Sequence, residues 1–569
     1  MSNESDFCPQ WTEEAPKPGT YRSIFKWGAP NVFKHPNTRL YSMLKNKFNM
    51  SDDDFKQRKN EGLTQVSNTI PVQLSNDHIQ VLSNIVGQEN IQTDDFSRVK
   101  YANGKTLIEA LRLRNGIHGA IADVVIHPRN KEEIQNIVAY CNKQSIPIYP
   151  YGGGSSVNFG FKCEKGGISL VLSTHMNRLI ALNEINQTAT VEPGIMGPAF
   201  EAILNDAPNT LKAGRRYTCG HFPQSFEYST VGGWIVTLGS GQQSSYYGDM
   251  YNIVLSQEYV TPTGVIKTLD YPATATGPKI NDIMKGNEGS FGILVSATVK
   301  IFRYMPENSQ QFAYMFPSWD AAVNAAREIS QGEFGMPSVF RISDAEETDV
   351  GLKLYGVEDI PFVDSIISFR GYSPMKRCLF IGQSDGERDF AINVKEKVKK
   401  ICKLNGGLFL TGYPVKKWSH SRYLDPYMRE DLNDYDIMID TLETGVTWDN
   451  LHNLHQNVRK YVKSRPNTIC MTHASHFYPQ GTNLYFIFIT RVKDISDFEQ
   501  FLYGIIDQIE KHGGSLSHHH GVGKMIGPWM ERHLGKNQMD VLRVLKKHFD
   551  PNNIMNPGGT LGLDLLPKA

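Results

Sequence analysis

The chain has 569 residues, 40% of them hydrophobic and 21% charged, with 59 basic residues balanced by 59 acidic ones. That length exceeds one ordinary core and predicts two or three domains. A formal net charge of zero leaves no basic excess of the kind that drives nucleic-acid binding through counterion release, so no nucleic-acid partner is expected.

No apolar run approaches the roughly 18 residues that a membrane-spanning helix requires. The seven cysteines are odd in number and scattered, which suits a reducing compartment. The opening MSNESDFCPQW is polar and acidic and lacks a secretory apolar run. An intracellular protein, soluble or peripherally attached to a membrane, is the expectation.

Residues 1–115 read as a helical, polar, loop-rich region, with helical apolar spacing in SDDDFKQRKNEGL and NGKTLIEALRLRNG. Within it, Tyr21 to Phe48 carries Arg22, Lys26, Lys34, Arg39, Lys45 and Lys47 and no acid. Two readings stand: a wrap packed on the body of the protein, or a patch touching an anionic membrane surface.

From about 116 the texture changes. IADVVIHP is a short β-branched run stopped by Pro128, KEEIQNIVAYCNKQS has helical period, and IPIYPY is a second strand, together a β-α-β unit. GISLVLS, TATVEPGI, IVLSQEYVTPTG and SFGILVSATVKIF continue a mixed α/β region over 116–303. A second such region, 304–512, runs from MFPSWDAAVNAAREIS through RCLFIGQSDG and RDFAINVKEKVKKICKLNGG to TNLYFIFITRV and ISDFEQFLYGIIDQIEKHGG. Residues 513–569 hold the run SLSHHHGVGK, an amphipathic helix QMDVLRVLKKHF and a Pro/Gly-rich tail ending in PKA.

Small-residue loops dominate the first α/β region. PYGGGSSVNFG follows a strand, and its glycines let backbone N–H groups approach a phosphate, yet it fits neither the Rossmann nor the Walker spacing. FPQSFEYSTVGGW, TLGSGQQSSYYGD and GNEGSFGIL follow in order. The histidine triplet 518–520 poses a separate question. Adjacent side chains diverge on a helix or a strand, so three in a row do not close round one ion. Cys-x-x-Cys and His-Glu-x-x-His are absent, and no metal is expected.

The four loops, in this order, resemble the flavin-binding domain of the vanillyl-alcohol-oxidase/PCMH superfamily. HHHGVGK, GHFPQSFEYSTVGGW, FKWG and TGPKI further resemble the alkyldihydroxyacetonephosphate synthases within it. The resemblance implies an α+β architecture. It consists of a PCMH-type FAD-binding domain of two α/β subdomains, an α/β cap with an antiparallel sheet, and helical N- and C-terminal extensions. It places the cofactor against Pro150, Tyr151, Gly152, Gly153, Gly154, Ser155 and Ser156. Gln224, Ser229 and Thr230, then Thr237, Gly239 and Ser240, and finally Glu288, Gly289, Ser290, Gly292 and Ile293 complete the set. Some relatives tether their flavin through a histidine in the glycine loop. Serines stand there in this chain, so dissociable FAD is expected.

The resemblance also implies a redox-neutral reaction in which the acyl group of acyl-dihydroxyacetone phosphate is exchanged for a long-chain fatty alcohol. Arg429 then takes the substrate phosphate and Arg341 is a second active-site arginine. Tyr485 is the proton acceptor, helped to ionise by His518, His519 and His520, with alternate histidines facing the flavin, and His221 stands beside it. A homodimer and, in a eukaryote, a peroxisomal location are further expectations, although the terminal PKA is not a convincing targeting signal; the expectation of peripheral membrane contact rests on the basic stretch 21–48. The chain departs from the family pattern at Phe222, Gln224 and His473, and in its tail. An FAD-dependent D-2-hydroxy acid dehydrogenase is the alternative, and a non-catalytic flavin or lipid carrier a third class.

Overall fold

The computed structural model describes residues 7–354, 363–492 and 494–565, so the terminal PKA lies outside the described residues. Two compact units form. One comprises Lys17–Phe25, Gly62–Tyr304 and the chain from Leu516 onward; the other comprises the chain up to Pro16, Lys26–Glu61 and Met305–Ser515. The first hundred residues therefore make no domain of their own, and the segment after 515 belongs with the small-residue loops. Short segments without a core of their own are buried only by joining a larger one.

In the first unit, strands β1 (Ile91–Gln92), β2 (Val124–Ile126), β3 (Ile148–Tyr151) and β4 (Ile168–Val171) form a sheet in the order β1-β2-β4-β3. β2, β4 and β3 are parallel. All of their residues but Pro150 are buried, as parallel strands covered on both faces require. The expected β-α-β unit forms, but β4 inserts between its two strands. Its helix, Lys131–Gln144, starts where the Asn130 side chain accepts from the Glu133 N–H, and it buries Ile134, Ile137, Val138 and Cys141 at helical spacing. The tail joins β3: the Ile148 N–H donates to the Ile554 carbonyl at 2.7 Å, and the Asn556 N–H to the Ile148 carbonyl at 2.8 Å.

A second, antiparallel sheet joins β5 (Leu179–Asn183), β6 (Thr188–Val191), β8 (Val254–Thr261), β9 (Gly264–Lys267) and β10 (Ile293–Lys300) in the order β5-β6-β10-β8-β9. A short pair couples β7 (Tyr217–Thr218) with β11 (Phe302–Arg303).

The other unit is built on a seven-stranded antiparallel sheet. Its strands are β12 (Gln310–Phe316), β13 (Val339–Ser343), β14 (Cys378–Ser384), β15 (Leu408–Thr411), β16 (Ile437–Thr447), β17 (Ile469–Tyr478) and β18 (Gly481–Arg491), ordered β15-β12-β14-β13-β17-β18-β16. Alternation sorts the side chains of β18. Leu484, Phe486 and Phe488 are fully buried, and the rings of Phe486 and Phe488 meet helices Leu451–Ser464 and Ile495–Lys511 through His455, Phe498 and Phe501. Asn483, Tyr485 and Ile487 take the opposite face.

The expected helix in SDDDFKQRKNEGL reduces to a single turn, Asp52–Phe55, in which only Phe55 is buried. One apolar anchor leaves a longer helix nothing to pack. The basic stretch 21–48 exposes none of its six cations fully. Arg22 and Lys26 are buried, Lys26 donates to the carbonyls of Ala29 and Val32, both at 2.8 Å, Lys34 pairs with Asp425, and Lys45 pairs with Asp52 at 2.5 Å. The stretch is packed rather than laid open as a charged patch.

Candidate functional site

The glycine loop is built for backbone contact. A Cβ on Gly153 would lie 2.1 Å from the Tyr228 carbonyl, and one on Gly152 would lie 2.6 Å from Thr230 Oγ1. Gly154 adopts φ +82°, where L side chains are strained. The loop after β3 thus closes on the Ser229–Thr230 segment. Ser156 Oγ accepts from the Gly160 N–H at 3.0 Å and donates to Asn158 Oδ1 at 2.7 Å.

Several hydroxyls expected at a cofactor are used to shape the loops. Thr230 Oγ1 caps the helix Val231–Val236 by accepting from the Gly233 N–H at 3.2 Å. Ser229 Oγ accepts from Trp234 Nε1 at 2.7 Å, and Thr237 Oγ1 donates to the Gly233 carbonyl. Gln224 Oε1 accepts from Gln242 Nε2 at 3.1 Å. Gly289 packs on Pro150, where a Cβ would come within 2.7 Å, and Gly292 packs on the Val260 carbonyl at the start of β10, which opens with buried Ile293.

Other polar atoms are buried with no partner among the described residues: Ser240 Oγ, Ser290 Oγ and both ring nitrogens of His221. Burial drives the His221 pKa down to about 3, so the ring is neutral, and it lies 4.8 Å from the Trp234 ring. Buried donors and acceptors left this way cost free energy unless a ligand meets them. Together with the close-packed glycines, they fit a dinucleotide cofactor.

The histidine triplet stands in the same unit. Alternation fails here, because 515–526 is a chain of bends and turns rather than a strand. The rings of His518 and His519 meet edge-on with Nδ1 atoms 3.1 Å apart, and His519 also meets His520 with centroids 4.7 Å apart. The middle ring therefore touches both neighbours, and all three are half-buried. Glu288, expected at the cofactor, turns its carboxylate to the N–H groups of Val522 and Gly523. Burial raises its carboxyl to about 7 against those bonds and nearby Lys524.

The remaining predicted residues lie on the seven-stranded sheet. Register sets Tyr485 directly between His473 of β17 and Glu443 of β16. Ser343 of β13 pairs with His473, and Arg341 with Ser475. Tyr485 donates to Thr441 Oγ1 at 3.0 Å. Its phenol is pushed above its ordinary value by burial and by Glu443 and Asp440, with Thr441 and Arg341 acting the other way. Burial and the two carboxylates favour the phenol, which donates at neutrality.

Arg341 pairs with Glu347 at 2.5 Å, and His473 Nδ1 meets the same Glu347 oxygen at 2.9 Å. Burial would raise the Glu347 carboxyl, but His473 and Arg341 outweigh it and hold the group at about 2. Burial and Arg341 lower His473, which is neutral at neutrality. Sequence reading noted His473 only as a departure and missed Glu347. Arg429 is buried, bound to Glu430 at 2.8 Å and set over the Trp27 ring. Arg341 keeps 25% of its side chain exposed. Asp440, held at about 6 by burial, was also missed.

Comparison with known proteins agrees with these features. Residues 122–270 match the FAD binding domain family and residues 305–560 the C-terminal domain of FAD linked oxidases. The chain is 31% identical over 488 residues to the alkyldihydroxyacetonephosphate synthase of Dictyostelium discoideum, covering 82% of this chain and 78% of the relative. It is 28% identical to the enzyme of that name from Trypanosoma brucei brucei, with 92% and 88% covered. A solved alkyldihydroxyacetonephosphate synthase superposes with a TM-score of 0.79 at 26% identity, over 94% of this chain and 99% of that one.

Proposed function

Because the chain belongs to the alkyldihydroxyacetonephosphate synthase family, an FAD-dependent group of enzymes, we propose that it exchanges the acyl group of 1-acyl-dihydroxyacetone phosphate for a long-chain fatty alcohol. The step is redox-neutral and yields an ether-lipid precursor. One observation carries the reading beyond the family name: the triple imidazole run is fastened to the FAD-binding loops through Glu288 and Asn158.

Bound FAD supplies nucleophilic and leaving-group chemistry through its ring nitrogen. The residues that would hold it are the backbone N–H groups of Gly152–Gly154 and the hydroxyls of Ser155, Ser240 and Ser290. The exchange requires removal of a proton beside the ketone, a cation for the phosphate and donors for oxyanion character. His518, His519 and His520 take the proton role, since imidazole is the side chain suited to moving protons near neutrality. Tyr485, protonated, donates to developing negative charge. Arg341 is the cation for the phosphate, with Glu347 fixing its guanidinium.

The test gives the purified, FAD-loaded protein acyl-dihydroxyacetone phosphate and hexadecanol. Release of fatty acid in step with formation of the ether product is expected. No exchange, together with anaerobic bleaching of the flavin by D-lactate, would move the chain to the hydroxy-acid dehydrogenases.

A further inference from the structure

The turn that follows the histidines is held at its main chain chiefly by Glu288 and Asn158 of the FAD-binding loops, with Leu561 of the tail donating to the Gly523 carbonyl at 3.2 Å. Glu288, at the left-handed φ of 49°, accepts from the N–H groups of Val522 at 2.6 Å and Gly523 at 2.7 Å. Asn158 adds three more. Its Nδ2 donates to the His520 carbonyl at 2.9 Å, and its carbonyl accepts from Lys524 and Met525, both at 3.1 Å. The approach is close enough to require glycine: a Cβ would lie 2.7 Å from Glu288 Oε1 at Gly521 and 2.1 Å from the Asn158 carbonyl at Gly523.

Glu288 is itself fixed on every side. Its N–H donates to the Val236 carbonyl at 2.9 Å. Its carbonyl accepts from Asn556 Nδ2 at 2.7 Å, and Asn556 Oδ1 accepts from Lys524 Nζ at 2.6 Å. A carboxylate already bound to two N–H groups has no use to a dinucleotide, whose diphosphate it would repel.

We propose that Glu288 and Asn158 are positioning residues that clasp residues 520–525 and thereby aim the imidazole run, rather than ligands of the cofactor. The catalytic side of this rests on the exchange reading above; the clasp itself does not. A carboxylate suits the Glu288 half of the task, because in its ionised form it accepts shorter and about twice as strong bonds as a neutral group.

Hydrogen exchange on the full-length, FAD-loaded protein separates the two. In Glu288→Gln, one acceptor becomes a donor facing N–H groups. Amides of 520–525 should then exchange about 10-fold faster or more, the opening expected when a charge-assisted bond is lost, while the rest of the unit is unchanged. FAD content should hold, and kcat should fall about 10-fold with KM for acyl-dihydroxyacetone phosphate within about twofold, the signature of misaimed groups rather than lost binding. Asn158→Asp should repeat the pattern by removing the donor to His520, and it decides the question should Glu288→Gln fail to fold. Unchanged exchange at these amides, or loss of FAD with exchange unchanged, overturns the proposal. Faster exchange in a protein that shows no acyl exchange upholds the clasp and overturns only the functional reading.

Discussion

Tyr485 and His473 lie face to face on neighbouring strands, their ring centroids 4.9 Å apart and their planes 17° from parallel. Antiparallel register puts them opposite each other. Glu347, from the helix after β13, then binds His473 and Arg341 through one oxygen. A phenol, a neutral imidazole and a guanidinium of one sheet are thus connected in a row by a carboxylate from the helix that follows β13.

That row makes Tyr485 a donor. Tyr485→Phe keeps the ring stacked on His473 and removes only the hydroxyl, so acyl exchange should fall about 100-fold, the scale of a lost proton-transfer group. Thermal stability should change little, since one hydroxyl bond contributes about 1 kcal/mol. Steady-state rates and a melting curve check both. Full activity in the variant would remove Tyr485 from the chemistry.

Glu347 gives a prediction in pH. Its folded pKa of about 2 lies below the ordinary 4.5, so its contribution to stability is present in full above 4.5 and is lost as pH falls towards 2. Glu347→Gln breaks a buried pair and should destabilise by about 3 kcal/mol at neutral pH. The gap between variant and native protein should narrow as pH falls from 4.5 towards 2. Urea titrations across that range measure it. A gap that did not narrow there would show that the carboxyl is not held ionised.

The sequence carried some of this plainly and some not at all. TNLYFIFITRV and ISDFEQFLYGIIDQIEKHGG have periods so regular that β18 and its helix follow from them. IMIDTLETGVT, which forms all of β16, is broken by Asp440 and Glu443, and those polar residues, which belong to the row beside Tyr485 or its surroundings, hide the strand. The contact of Glu347 with His473 joins residues 126 apart. It depends on strand register and on where a helix begins, and neither leaves a local signal. The glycine loops were legible because close backbone approach admits few residue types. What their neighbours' hydroxyls do was not, since a serine or threonine caps a helix or meets a ligand with the same chemistry.

The attachment of the cofactor gives the last prediction. A covalent tether needs a nucleophilic side chain, and the glycine loop offers Ser155 and Ser156, whose hydroxyls are poor nucleophiles without a base; Ser156 is moreover bound to Asn158 and Gly160. His221 is the imidazole on the neighbouring loop. It is neutral, fully buried and packed on Trp234, with Gly239 close enough that a Cβ there would lie 3.5 Å from its Nε2. That enclosure favours a hydrogen-bonding or packing role over a bond to a flavin ring. Acid precipitation of the purified protein should therefore leave the yellow colour in the supernatant, and His221→Ala should loosen FAD binding without altering that partition. Colour retained in the native pellet and lost from it in His221→Ala would instead identify His221 as the tether.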